Sequence, residues 1–213
     1  MSRALYILDF DRTLFDTHRF FEDMKACLER THKLDIGQFT ATWQSYVEPG
    51  SGGYDPHRHH QALLGLSPDE LDEVIQSELG NRDYTFPDAT TWLEQHLHRD
   101  DEDLVVVTMG RPRYQALKFH HAPLVRPLHK VVVATNKGDI IRRHLSAGAG
   151  EYGLDFLDQP YAPMTLIDDS TDTFTALGPT DRITGIRIAR PGEKYSNTPT
   201  PAHVRHITSF EEL

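Results

Sequence analysis

The chain has 213 residues, a formal net charge of −10, 38% hydrophobic and 25% charged residues, and two Trp, eight Tyr and ten Phe. That composition belongs to an ordered globular protein with one substantial core, or a core carrying a smaller inserted module, and it excludes a disordered chain and a third domain. The 22 Lys and Arg are scattered rather than gathered into a block, so no phosphate-tracking nucleic-acid surface is expected, and any anionic substrate must be met by locally concentrated positive charge.

Residues 4–8, ALYIL, form a continuous apolar run ending in Asp9, the pattern of a strand buried on both faces. The run is too short for a secretory or membrane segment, and Cys27 stands alone, so no internal disulfide is possible and a reducing, cytoplasmic setting is the expectation. From 16 to 86 the texture changes to four amphipathic helical patterns. The first places Phe20, Phe21, Met24 and Leu28 on one face; the second spaces Ile36, Phe39, Trp43, Tyr46 and Val47 helically. The PGSGGYD stretch at 49–55 reads as a flexible loop that could close over a substrate. The third helix opens on Asp55-Pro56 and ends near Gly65; the fourth opens on a capping box from Ser67 to Glu70, buries Leu71, Val74, Ile75 and Leu79, and stops at Gly80.

Pro87 opens a further helix that leads into LVVV at 104–107, and strand-like runs recur at 131–134, 164–167 and 183–188, with helical patterns such as GDIIRRHL between them. Strands alternating with helices imply a parallel sheet covered on both faces. The expected architecture is an α/β, doubly wound (Rossmann-like) core, residues 1–15 and 87–213, with an inserted α-helical cap, residues 16–86.

In such sheets the binding crevice lies beyond the carboxyl ends of the strands. Four runs end suggestively there: Asp9-Phe10-Asp11-Arg12-Thr13, Thr108-Met109-Gly110, Asn136-Lys137-Gly138 and Asp168-Asp169-Ser170. Asp9, Asp11 and Asp168 gathered at one edge would repel one another unless a divalent cation sat among them, and all-oxygen ligands with a phosphate select Mg²⁺. Lys137 at a helix start could reach a phosphoryl oxygen, and Thr108 could donate to another. These groups supply the positioning and charge neutralisation that phosphoryl transfer needs. One carboxylate can attack phosphorus, and Asp11 can protonate the leaving oxygen and then activate water if its pKa is tuned upward.

From ILDFDRTLFDT through TMG, NKGD and LIDDS to the tail HVRHITSFEEL, the sequence resembles the haloacid dehalogenase superfamily, in the phosphatase branch with a C1-type helical cap after the first strand. The resemblance implies that Asp9 is the nucleophile and Asp11 the general acid and base, whose backbone carbonyl also faces the metal. It further implies that Thr108 and Lys137 hold the phosphate, and that Asp168 binds Mg²⁺ with Asp169 assisting. Arg12 stands where the family most often has Gly. Lys118 and Lys130 also fall between the second and fourth motifs, but Lys137 follows a strand and begins a helix.

Arg58 and Arg111, with Arg113, are candidates to contact the substrate. His57, His59 and His60 have no accompanying Cys or well-spaced acid and read as surface or cap-packing residues rather than a zinc site. Asp172 reads as a helix cap or a solvated acid. The function expected is a Mg²⁺-dependent phosphoric monoester hydrolase acting on a small phosphorylated metabolite, with no nucleic-acid or membrane partner. A phosphomutase and a non-catalytic protein that binds metal and ligand are the alternatives.

Overall fold

The computed structural model describes residues 3–47, 53–147, 161–177 and 183–213. Six strands, β1 (Ala4–Leu8), β2 (Glu102–Met109), β3 (His129–Val133), β4 (Met164–Asp168), β5 (Ile183–Ile188) and β6 (Arg205–Ile207), form one all-parallel sheet in the order β3-β2-β1-β4-β5-β6. The chain steps from β1 to β2 and β3 on one side and returns to place β4 on the other, so the strand order reverses at β1 and β4. A ligand crevice is expected at their carboxyl ends.

Alternation along the strands divides the core into two layers. Leu5, Ile7, Val105, Val107, Val131, Val133 and Leu166 pack with α7 (Lys137–Ala147) and α8 (Thr171–Ala176) through Ile140, Ile141 and Phe174. On the other face Leu8, Val106, Ile167, Ile186 and Ile207 meet α5 (Pro87–His96), α6 (Pro112–His120) and a closing 3₁₀ turn through Trp92, Leu93, Leu117 and Phe210. Both faces are covered, as in a doubly wound α/β fold. A Cβ on Gly138 would come within 2.1 Å of the Thr173 carbonyl oxygen, so glycine is what lets α7 approach α8.

Between β1 and β2 the chain forms α1 (Thr17–His32), α2 (Ile36–Thr42), α3 (Pro56–Leu64) and α4 (Pro68–Leu79) before α5. Their ends follow the punctuation in the sequence. Asp16, Asp35 and Asp55 accept from backbone N–H groups of α1, α2 and α3, Ser67 and Glu70 form a reciprocal capping box, and Gly65 closes α3 in the left-handed region. The second helix is shorter than its pattern predicts: α2 stops at Thr42 and Trp43–Tyr46 tighten into a 3₁₀ turn. Residues 49–52 of the expected closing loop lie outside the described residues.

The segments that lead into and out of these four helices run side by side. Phe15 pairs antiparallel with Thr85, the Asp16 N–H donates to the Tyr84 carbonyl at 2.8 Å, and the Phe86 N–H donates to the Leu14 carbonyl at 2.9 Å. No helix among the described residues is long and apolar enough to cross a membrane.

Candidate active site

Asp9 is the first residue beyond β1, level with Asp168 at the end of β4, and its N–H donates to the Ile167 carbonyl at 2.9 Å. Both carboxylates are buried, at 3% and 0% exposure, and Asp169 beside them is 6% exposed. Asp9, Asp168 and Asp169 each turn an oxygen to within 4.8 Å of the others. Asp9 and Asp168 are held by one cation: the Lys137 ammonium, at the first position of α7, bonds Asp9 Oδ1 and lies 2.8 Å from Asp168 Oδ2. The Thr13 hydroxyl donates to the other Asp9 oxygen at 2.8 Å.

Charges packed this closely shift one another. Burial, then the neighbouring Asp168 and Asp11, push Asp9 up to about 6 against the pull of Lys137. Burial, reinforced by Asp9 and Asp168, raises Asp169 well above the usual carboxylate range. Burial alone would lower Lys137, but Asp168 and Asp9 outweigh it and raise its pKa.

Asp11 lies beside this group and faces other partners. Lys118 and Thr17 bond Asp11 Oδ1, the latter at 2.6 Å, and Gln115 Nε2 donates to Oδ2 at 2.8 Å. Its carboxylate therefore stays out of the Asp9, Asp168 and Asp169 cluster, which leaves its backbone carbonyl as the only group it could offer to an ion there. Burial pushes Asp11 up, but Lys118, Gln115 and Thr17 together hold it down at about 2. The upward tuning on which the acid role depends is therefore not met in this arrangement, where a cation that the motifs do not include holds Asp11 as a carboxylate.

Thr108, on β2 beside β1, is fully buried, and its hydroxyl oxygen has no hydrogen-bond partner among the described residues. A buried hydroxyl without a partner is costly. At the mouth of this acidic crevice it is an obvious donor for a ligand oxygen. Asp169 Oδ2 is likewise buried and unpartnered.

The three arginine candidates fare differently. Arg111 caps α6 with its Nε 3.8 Å from Asp55 Oδ2, so it spans the gap between α6 and α3 near the Thr108 end of the crevice. Arg58 is exposed on α3, and among the described residues no ion pair ties it to the acids. Arg113 is occupied by Asp69 and Asp72 of α4, at 2.5 and 2.7 Å. The three histidines are buried rather than on the surface. His59 stacks between Phe39 and Tyr46, and His57 bonds Asp72 at 2.7 Å, so they pack the helices and gather no metal-ligand set among the described residues. Asp172 lies in the first turn of α8 behind the cap residue Ser170, and its carbonyl accepts from Asn136 at 3.2 Å. A cavity of about 460 Å³ lined by Arg3, His96, Arg99 and Glu102 lies at the amino ends of the strands, away from the acids. Its Arg3, His96 and Arg99 are already paired with carboxylates.

Comparison of the sequence with protein-family models and with curated proteins returned no match. Solved structures do match, over the whole chain. A protein described as a haloacid dehalogenase-like hydrolase from Burkholderia xenovorans superimposes with a TM-score of 0.67 at 17% identity, covering 100% of this chain and 95% of that one. The chain has the haloacid dehalogenase-like hydrolase fold. The HAD-hydrolase YfnB from Bacillus subtilis, solved with magnesium, gives 0.59 at 14% identity over 100% and 97% of the two chains. CbbY from Rhodobacter sphaeroides, solved with phosphate, gives 0.58 at 17% over 100% and 96%.

Within this fold, four residues that the motif reading left out support the site. Lys118 and Gln115 project from α6 onto Asp11. Gly110, at φ 148°, leaves room for Gln115, whose amide nitrogen would lie 2.8 Å from a Cβ there. Pro112, placed to start a helix, and the i, i+3 spacing of Gln115 and Lys118 were the signals available. Arg190 donates twice to the Thr13 carbonyl, at 3.1 and 2.9 Å, and pairs with Asp88 at 3.0 Å, so it fixes the loop that carries Asp9. The fully buried Arg187 donates to the Asp169 carbonyl at 3.1 Å and ties it to the 195–200 segment.

Proposed function

We propose that the protein is a Mg²⁺-dependent phosphatase that hydrolyses a small phosphorylated metabolite through an aspartyl-phosphate on Asp9. The observation that carries this reading is the set of three buried carboxylates, Asp9, Asp168 and Asp169, converging within 4.8 Å of one another, two of them paired with Lys137, next to a buried Thr108 hydroxyl with no partner among the described residues. An all-oxygen donor set with an unsatisfied Asp169 oxygen fits a hard divalent cation. Asp9, Asp168 and Asp169, with the Asp11 backbone carbonyl, would hold it, and it would neutralise charge on the phosphoryl oxygens.

The side chains then divide the work. Asp9, oriented by Thr13 and by a loop that Arg190 fixes, presents Oδ1 or Oδ2 to phosphorus. Lys137 exchanges part of its contact with Asp9 for a phosphoryl oxygen, and Thr108 donates to another. Asp11, already a carboxylate, would take a proton from the water attacking the phospho-enzyme once an oxygen is freed from Lys118, Thr17 or Gln115. To protonate the leaving oxygen in the first step it must gain a proton, which requires release from Lys118, Gln115 and Thr17. The helices α1–α4, entered and left through the paired segments at 15–16 and 84–86, would act as a cap over the crevice. Purified protein with Mg²⁺ should release phosphate from an aryl phosphate, and Asp9→Asn should abolish it. Inertness of the wild type across a broad ester panel would end the reading.

A further inference from the structure

Arg12, between the two motif acids and Thr13, differs from its neighbours in three ways. Its backbone φ is 63°, in the left-handed region; the other non-glycine residue there among those described, Lys33, closes α1. For a residue with a Cβ this conformation costs about 1 kcal/mol that glycine does not incur. An outlier of this kind beside an active site is a reason to look for a role of the side chain.

The second feature is its unused donors. The Arg12 N–H bonds the Phe15 carbonyl at 2.8 Å, but the guanidinium makes no hydrogen bond among the described residues, and its ionic partner is Glu193, with Nε 3.5 Å from Oε2. Arg187 and Arg190, by contrast, each spend several donors on carbonyls, hydroxyls or carboxylates. Third, the Arg12 side chain is only 29% exposed, and its charge acts on Asp169, Lys118 and Tyr114, which come from the β4 end and from α6. It therefore stands near the crevice while remaining partly open to solvent.

Charge balance points the same way. With all four acids ionised around a divalent cation, Asp9, Asp11, Asp168 and Asp169 would bring four negative charges, Lys118 and Lys137 return two, and the cation would complete neutrality without Arg12. Arg12, loosely matched by Glu193, is surplus to the acids. A guanidinium is suited to bidentate recognition of a carboxylate or phosphate, and this one makes no hydrogen bond among the described residues, only the long Nε contact with Glu193.

We infer that Arg12 sets substrate choice: its guanidinium takes up a second anionic group, carboxylate or phosphate, on the leaving portion of the phosphate ester, in competition with Glu193. The phosphorylated nature of the ligand rests on the phosphatase reading above; the anion subsite is tested separately by binding. The matched probes are 3-phosphoglycerate against glycerol 3-phosphate for a carboxylate, and propane-1,3-diol bisphosphate against propyl phosphate for a second phosphate.

Dissociation constants are measured with Mg²⁺ in the Asp9→Asn protein, and kcat/KM in the protein with Asp9 intact. The preference for the doubly anionic member of at least one pair should fall by about tenfold or more on Arg12→Gly and be partly kept by Arg12→Lys. Glu193→Gln, which removes the competitor, should increase that preference. Glycine relieves the backbone, so Arg12→Gly should melt no lower than the parent. No preference in the parent protein, a preference untouched by Arg12→Gly, or an equal loss for both members of each pair overturns the inference. If preferential binding through Arg12 is found while the protein with Asp9 intact hydrolyses nothing, the phosphatase reading falls and the anion subsite stands. If no ester binds, both fall.

Discussion

In the absence of divalent ions at pH 7.5, Asp9→Asn is expected to be more stable than the wild type by about 3 kcal/mol. The carboxyl is 3% exposed, and burial with the adjacent acids carries it from 3.8 up to about 6. At about 1.4 kcal/mol per tenfold in the ionisation constant, that displacement corresponds to about 3 kcal/mol against the ionised folded state. The sign follows from which state holds the proton. The unfolded chain loses it near 3.8 and the folded protein near 6, so wild-type stability falls as pH rises through that window and is level above it with respect to this group. Asparagine carries no such proton. It also leaves Lys137 compensated, because Asp168 Oδ2 remains 2.8 Å from the ammonium. Urea unfolding of both proteins in a chelator from pH 4 to 7.5 should give curves that converge at pH 4 and separate as pH rises. Added Mg²⁺ should narrow the gap by stabilising the wild type. A variant no more stable than the wild type at pH 7.5, or a gap independent of pH, refutes the idea that Asp9 is held as an energetically costly carboxylate.

Lys118→Met removes the buried cation from Asp11, which burial then pushes up from about 2; the acidic limb of the kcat/KM profile should move to higher pH, and urea unfolding should show a loss of about 3 kcal/mol. Thr108→Val removes a buried hydroxyl that has no partner, so thermal melting should be unchanged or slightly higher, while inhibition by inorganic phosphate should weaken by about tenfold. Gly138→Ala places a Cβ 2.1 Å from the Thr173 carbonyl, and separating α7 from α8 should cost about 1–3 kcal/mol in unfolding and lower turnover by displacing Lys137.

The elements most legible in the sequence were those whose signals are local. Apolar runs marked β1 and β4 because both strands are buried on two faces, and Asp55-Pro56 and the Ser67 capping box marked helix starts because caps are chosen by adjacent residues. Asp9, Asp168 and Lys137 could be placed at one edge because the end of an apolar run fixes where the crevice lies. What the sequence concealed was long-range. Lys118 is 107 residues from Asp11, and no local pattern distinguishes a helical Lys that reaches a buried acid from one in solvent. The same holds for Arg190, whose target, the Thr13 carbonyl, is 177 residues away. Asp11 looked like an acid to be tuned upward because its cation was invisible. For His57, His59 and His60 the choice between surface and packing stayed open because the rings that bury them come from other segments.

The central claim is covalent: Asp9 carries the phosphoryl group during turnover. Rapid acid quenching of the protein in the presence of Mg²⁺ and an aryl phosphate, followed by peptide mapping by mass spectrometry, tests it directly. A phosphoryl group on the peptide containing Asp9, appearing before steady-state phosphate release and missing in Asp9→Asn, is the expected result. Turnover with an unmodified Asp9 peptide, or phosphate release sustained by Asp9→Asn, would contradict it.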